Sequence, residues 1–288
     1  NFSNVFRQMY NITVQAAFID FLFHRAMVFN SGSFLQFHGT MLKSFVLLRI
    51  NELLSKNLLV AGSRGFLKDS MIGKAVIDSF VLPVFDGHYT INTFMTEKHA
   101  DRYLNASERM DPMVRVEQMR RELFLEQNHN EINAKPSDIR RPDFFDFAQY
   151  IEDCQLPFDM QPRETVAQVR AILNEIQERE LTNDPDYRYK VGDIIHWMES
   201  VLAAVEFWKV TGEENYLNVV VQQFNGMVNT VNNIITEGGL TTNFMTPLRQ
   251  LPLPKVDDVR EYLFRLLDVQ GMLGQKRSEW VDRVPQTS

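Results

Sequence analysis

The chain has 288 residues, a formal net charge of −7 and an isoelectric point near 5.5. This acidity disfavours nucleic acid as a partner, because binding to phosphates needs a basic patch. Hydrophobic residues make up 44% of the chain, enough for a substantial core, and the length suggests two domains. No apolar run approaches the roughly 18 residues needed to span a bilayer, so we expect no membrane span.

A single cysteine, Cys154, excludes an internal disulfide and fits a reducing compartment, so we expect a cytoplasmic protein. No histidine is near it in sequence, and we interpret Cys154 as a packing residue rather than a nucleophile. The histidines lack metal-ligand spacing, so we expect no metal site. The start, NFSNVFRQMYN, lacks an initiator methionine and a signal-peptide pattern, and we interpret it as internal.

The first 105 residues have apolar side chains at helical spacing and no period-2 alternation. The pattern predicts helices over residues 4–29, 34–60, 67–82 and 86–104, with Pro83 stopping the third and Asp86 able to cap the fourth. The first helix has its main apolar face marked by Val5, Met9 and Phe23, with further apolar residues on neighbouring faces. One small bundle cannot bury all of this surface, which predicts association with another copy or with a missing half.

The remainder of the chain is more acidic and again helical. A charged helix over 109–126 and a polar, proline-bearing linker are expected within residues 106–142. Four apolar stripes then predict an antiparallel bundle in the extension over residues 143–288, and we expect residues 143–281 to fold alone. The stripes are Val166 to Ile176, Ile194 to Trp208, Leu217 to Ile235 and Val259 to Val269. The fold class is therefore all-α, with two helical bundles.

Two glycine-containing turns interrupt the helices of the first part, GSRGF at 62–66 and FDGHYT at 85–90. Glycine turns between long helices let the backbone approach a ligand. The ordered pair resembles the C-terminal four-helix domain of acyl-CoA dehydrogenases and oxidases, in which a GGxG[YF] turn is followed about twenty residues later by [YF]EGT. Asp78 also falls where that family has the acid of an RDA triplet. The resemblance covers about residues 1–105.

The resemblance implies an FAD-dependent α,β-dehydrogenation of an acyl thioester, on coenzyme A or a carrier protein. By position, Asp86 is the general base that removes the proton next to the thioester. The same comparison places the cofactor against Gly62, Ser63, Gly65, Gly87 and His88. It also implies that an N-terminal helical domain and a central β-domain come from elsewhere, and that the chain forms a homo-oligomer or joins a complementary N-terminal chain.

The sequence departs from the family at several of these positions. Asp86 replaces a glutamate, which withdraws the carboxylate by one methylene, roughly 1.5 Å. The other departures are Leu59 for glutamine, Ser63 for the second glycine, Ile77 for the RDA arginine and His88 for threonine.

Simpler interpretations of the same residues stay open. Gly62 and Gly65 can serve only to end a helix, Asp86 only as an N-cap, and His88 only as a surface residue. As a whole, the chain can also be a non-catalytic helical scaffold that retains the fold, or part of an acyl-CoA oxidase. The extension after residue 105 is interpreted as an interaction or dimerisation module.

Overall fold

The computed structural model describes residues 2–28, 33–67, 70–85, 88–124 and 144–252, and the regular structure in these ranges is helical throughout, which confirms the all-α prediction. The helices are α1 (Phe2–Val28), α2 (Ser33–Met41), α3 (Leu47–Ala61), α4 (Met71–Phe85), α5 (Tyr89–Glu97), α6 (Ala100–Leu104), α7 (Pro112–Phe124), α8 (Phe147–Asp153), α9 (Pro162–Glu178), α10 (Pro185–Thr211) and α11 (Leu217–Gly238). A π-helical turn, Leu42–Val46, joins α2 to α3. Most of the expected linker and the helix expected from Val259 to Val269 lie outside the described residues.

Two helix boundaries near the second glycine turn differ from the prediction. α4 continues through Pro83 to its end at Phe85. Pro83 cannot donate the backbone hydrogen bond of its position, but the chain keeps helical geometry for two more residues. The N-cap of α5 is His88, whose Nδ1 accepts a hydrogen bond from the Thr90 N–H at 3.4 Å. The helix start expected near Asp86 is therefore wrong, and Asp86 itself lies outside the described residues.

The main buried face of α1 is a neighbour of the predicted one. Val5, Met9 and Phe23, which marked the predicted face, are exposed. Phe18 and Phe21 instead contact Phe207 of α10, with ring centroids 5.8 and 5.1 Å apart. The buried set of α1 also includes Tyr10, Val14, Ala17, Leu22 and Ala26. Among the α1 residues whose burial is described, most apolar side chains lie in the core of this chain, so the composition of α1 alone does not require a partner.

α10 joins the two predicted bundles into one hydrophobic core. Every residue from Ile194 to Phe207 is buried, and the helix packs against α1, α5 and α7 as well as α8 and α11. Gly192 allows the close approach of α5, since a Cβ there would lie 2.2 Å from the Thr93 carbonyl oxygen. The core runs from Tyr10 to Met245, so the described residues on either side of position 105 share it.

A buried cluster of charged side chains lies inside this core. Arg25 of α1 bonds to Glu199 at 2.7 Å and to Glu206, both on α10. Glu206 also bonds to Arg115 of α7 and accepts a hydrogen bond from the Tyr150 hydroxyl of α8 at 3.2 Å. Burial raises the pKa of Glu206, but the two guanidinium groups lower it more, so the carboxylate stays ionised. The cluster therefore ties α1, α7 and α8 to α10.

Within the described ranges, no helix combines the length and the apolarity needed to cross a bilayer.

We predict that Glu206→Gln lowers the free energy of unfolding by about 3–5 kcal/mol, because it removes the buried carboxylate that pairs with both Arg25 and Arg115. The matched control is Glu152→Gln, which breaks an exposed ion pair with Arg163 and should cost far less. Urea unfolding followed by circular dichroism measures both. Equal losses in the two variants would contradict the role given to the buried cluster.

The shared core reverses one expectation for the second bundle. Residues 143–281 expressed alone lack Arg25 and Arg115, which neutralise Glu206, and lack the α5 surface that covers Gly192. We therefore expect this fragment to show no cooperative thermal transition, whereas the whole chain does. A cooperative melt of the fragment, followed by circular dichroism, would show that the predicted bundle is independent after all.

Candidate functional site

The first predicted cofactor turn, Gly62–Phe66, is a 3-10 turn that ends α3. Gly62 has φ +59° and ψ −144°, a conformation that residues with a Cβ rarely adopt, and its N–H donates to carbonyl oxygens of the last turn of α3. Gly65 is buried, and a Cβ there would meet the Leu58 side chain at 2.6 Å. Ser63 is exposed. Local geometry thus requires Gly62 and favours a small residue at Gly65, whether or not a cofactor binds.

The second predicted turn supplies His88, whose exposed side chain caps α5. Asp86 and Gly87, the expected base and its neighbour, lie outside the described residues. α4 separates the two turns, and a 15-residue helix is about 22 Å long. The first turn and His88 are therefore at opposite ends of α4, and a ligand that contacts both must be extended.

Large apolar side chains are exposed along α4 and in the turn that precedes it, and we call these side chains the α4 face. Its side chains are exposed in the described structure although they are large and apolar: Phe66, Leu67, Met71, Ile77, Phe80 and Val81. The opposite side of α4, with buried Val76 and Ser79, packs against α3. Large exposed apolar side chains that lie close together along the chain are typical of association sites. The α4 face is therefore a candidate surface for a covering partner.

A separate cleft, with a cavity volume of about 510 Å³, opens between α1, α3, α10 and α11. Carboxamides dominate its polar lining: Gln8, Asn11, Gln15, Gln222, Gln223 and Gln250. Leu59 and Val60, just before the first turn, lie on its apolar side. Gly62, Ser63, Gly65 and His88 are not among its lining residues, so the predicted cofactor residues and this cleft are different sites.

Hydrogen bonds orient three of these carboxamides. The Ser200 hydroxyl donates to Gln223 Oε1 at 2.9 Å, and Gln223 Nε2 donates to Gln15 Oε1 at 3.5 Å. Gln15 Nε2 in turn donates to Gln222 Oε1. Carboxamides carry both donors and acceptors, so a row of them suits an uncharged ligand that also carries both.

Arg49 lies at one side of the cleft, with its guanidinium 4.6 Å from the ring centroid of Trp197 and its Nη1 3.0 Å from Glu52. Asp193 accepts a hydrogen bond from Trp197 and is close enough to Arg49 to be affected by its charge. Burial raises the pKa of Asp193 to about 6, and Arg49 and Trp197 limit the rise. The Trp197 ring and the Asp193 side chain thus hold the Arg49 guanidinium beside the cleft.

The lining of this cleft includes no serine, cysteine or histidine, so it holds no Ser–His or Cys–His pair. Cys154 is buried elsewhere, and burial raises the pKa of its thiol to about 12, which agrees with its interpretation as a packing residue. The described part of the chain holds no cluster of three or more histidine, cysteine or acidic side chains that could bind a metal ion.

No protein-family model, no curated protein and no solved structure matches the chain.

Sequence reasoning missed the carboxamides, although a signal for them is present on α11. Gln222, Asn225, Asn229 and Asn232 follow one another at spacings of three and four residues, which places them on one face of the helix. We call these four residues the amide track. The apolar stripe of the same helix obscures this pattern, because hydrophobic periodicity is the stronger signal of a helix.

The raised pKa of Asp193 predicts that the stability of the folded protein depends on pH. Its folded-state pKa of about 6 exceeds the ordinary value of 3.8, so the folded protein holds a proton that the unfolded chain has lost between these pH values. The contribution of this proton to stability is therefore lost as pH rises from about 4 to about 6. Asp193→Asn should remove this part of the pH dependence, and the exposed Asp101→Asn should not. Urea unfolding of both variants at several pH values measures it, and an unchanged slope in Asp193→Asn would contradict the assignment.

Proposed function

We propose that this chain is the C-terminal helical portion of a flavin-dependent dehydrogenase-like oxidoreductase that acts on an acyl thioester. The order of elements over residues 59–92 carries the proposal: a long helix, a turn in a glycine-only conformation, the helix α4 and a capped helix α5. The residues that resemble the acyl-CoA dehydrogenase family occupy this same stretch. The likeness of order supports the proposal because the family's cofactor turns stand at the same two helix ends.

The first turn is compatible with a flavin nucleotide. A Cβ placed on Gly62 would meet no atom within 4 Å, so the space beside its backbone is open to a ligand. Ser63, exposed in the same turn, has a hydroxyl that can donate to a phosphate. When bound, the flavin supplies the hydride acceptor, and the chain's own part is to hold it and to place the base. In this proposal Asp86 removes the proton from the carbon next to the thioester, and Gly87 and His88 border the flavin.

The exposed α4 face indicates where the rest of the enzyme attaches. It lies between the two turns, and its apolar side chains need a covering surface. We assign that surface to the N-terminal helical domain and β-domain, supplied by residues outside this sequence, or to a second copy of the chain. The acyl thioester then binds between those domains and the second turn.

A non-catalytic assembly protein is the second candidate, and His88 favours it. Its imidazole serves as the cap of α5, a structural role that leaves no hydroxyl at the position where the resemblance places a flavin contact. In this alternative the α4 face joins the chain to its partner without any redox chemistry. A purified protein that lacks the absorbance bands of flavin would select this candidate.

The sharpest test of the catalytic proposal is Asp86. Asp86→Asn in the complete enzyme should slow flavin reduction by an acyl thioester by at least about 100-fold, because general-base catalysis supplies that much. Flavin absorbance should remain, since asparagine keeps the shape of the side chain. Asp86→Glu should retain or raise the rate, because it restores the missing methylene. The rate of flavin bleaching in anaerobic stopped flow measures all three proteins.

Asp101→Asn is the matched control, since it removes an exposed carboxylate of α6, away from both turns, and should leave the rate unchanged. Unchanged flavin reduction in Asp86→Asn would exclude Asp86 as the base, even if the flavin is bound.

A further inference from the structure

Residues 241–252 form an extended segment without regular structure that is bonded to the amide track of α11. Asn232 binds the backbone of Met245 twice: its Nδ2 donates to the carbonyl oxygen at 2.9 Å, and its Oδ1 accepts from the N–H at 2.8 Å. Asn225 binds Leu248 in the same way, at 2.9 and 2.7 Å. Each asparagine therefore satisfies both polar groups of one backbone residue.

The repeat of the track matches the repeat of an extended chain. Asn225 and Asn232 are seven residues apart, a rise of about 10.5 Å along a helix. Met245 and Leu248 are three residues apart, a span of about 10 Å in an extended chain. The segment runs antiparallel to α11, since its earlier residue pairs with the later asparagine. This match is independent of most side chains of the segment.

The segment's own sequence shows what the track requires. The residues at positions 245 and 248 must each donate a backbone N–H to an asparagine, so neither can be proline. Pro247, which lies between them, is accepted. Met245 is buried and Leu248 packs against the core, so apolar side chains are favoured at positions three apart. Phe244, by contrast, is exposed. The track thus recognises an extended backbone with two apolar residues separated by two others.

The start of the segment is held by a carboxylate. Glu175 of α9 accepts hydrogen bonds from the backbone N–H groups of Thr241 at 2.8 Å and Thr242 at 3.2 Å. These bonds, with those from the two threonine hydroxyls, lower the pKa of Glu175 to about 2. Apart from the Met245 and Leu248 side chains, the segment is held by polar bonds that water can replace.

The track continues into the cleft described above. Gln222, one turn before Asn225 on the same face of α11, lines that cleft together with Gln250 of the segment. The cleft therefore lies beside the later residues of the segment. Its carboxamides can pair with backbone groups in the way that Asn225 and Asn232 do.

We propose that the amide track and the cleft form a binding site for an extended polypeptide segment of another protein. The site takes a peptide with two apolar, non-proline residues three apart, the first in the Met245 position and the second in the Leu248 position. Residues 241–252 of this chain occupy the track in its absence, and the peptide displaces them. This site is independent of the flavin proposal, because none of its residues belongs to the two glycine turns.

The intramolecular segment sets the condition for such binding. A tethered segment competes at an effective concentration on the order of millimolar. A free peptide therefore binds the wild-type chain weakly, and releasing the tethered segment strengthens its binding.

The test is fluorescence anisotropy with a labelled peptide of residues 241–252 added to the full-length chain. Met245→Pro combined with Leu248→Pro removes the two N–H groups of the tethered segment and leaves α11 unchanged. This double variant should bind the peptide at least tenfold more tightly than the wild type. Adding Asn225→Ala and Asn232→Ala should abolish that gain, whereas adding Asn233→Ala, an exposed asparagine of α11 outside the amide track, should keep it.

A peptide methylated on the two corresponding backbone nitrogens is the matched ligand control, because it keeps every side chain. It should bind the double variant at least tenfold more weakly than the unmodified peptide. Equal binding of the two peptides, or no binding of either to a double variant that circular dichroism shows to be folded, would overturn the proposal. The segment would then be a permanent part of the fold.

Hydrogen exchange of the wild-type chain gives a second test if the double variant does not fold. Saturating peptide should speed exchange of the Met245 and Leu248 amides, because it displaces them from the two asparagines. The buried amide of Met227 in α11 should be unaffected. Unchanged exchange at Met245 and Leu248, with the peptide in millimolar excess, would equally overturn the proposal.

Discussion

Glu206 sits in the middle of a hydrophobic core with none of its surface exposed, and an ionised carboxylate is tolerated there only if cations neutralise it. The cations are Arg25 from the first helix and Arg115 from the seventh, which are far apart in sequence. α1, α7 and α10 must therefore meet at this carboxylate in the folded chain. Apolar packing alone would allow these helices to slide along one another, whereas the buried ion cluster fixes their positions.

This constraint explains why α10 is central and α4 is peripheral. α10 carries both acids of the cluster and is covered by helices from each predicted bundle. α4 packs mainly against α3 and leaves its apolar face exposed. The stretch that resembles a flavin enzyme is thus outside the part of the molecule that the ion cluster stabilises. A site in that position can change, or gain a covering domain, without loss of the core.

α11 shows how one helix serves two purposes. Its apolar stripe, which includes Phe224, Val228 and Val231, is buried in the core. The neighbouring face carries the amide track, and there Asn225 and Asn232 bind an extended backbone. Carboxamides suit this role because they bond to backbone groups and yet carry no charge that would have to be desolvated.

The sequence by itself determined the helical class and most helix positions, because spacings of three and four depend only on local geometry. It also located Gly62, since ending a helix with that backbone conformation requires a glycine nearby. Tertiary structure decided which face of α1 is buried and that both halves share one core, because these depend on partners distant in sequence. The pairing of Arg25 with Glu206, and of Asn225 with Leu248, likewise became visible only when helices and an extended segment were brought within hydrogen-bonding distance. Such pairings leave no periodic signal in a single sequence, since each partner alone looks like an ordinary charged or polar residue.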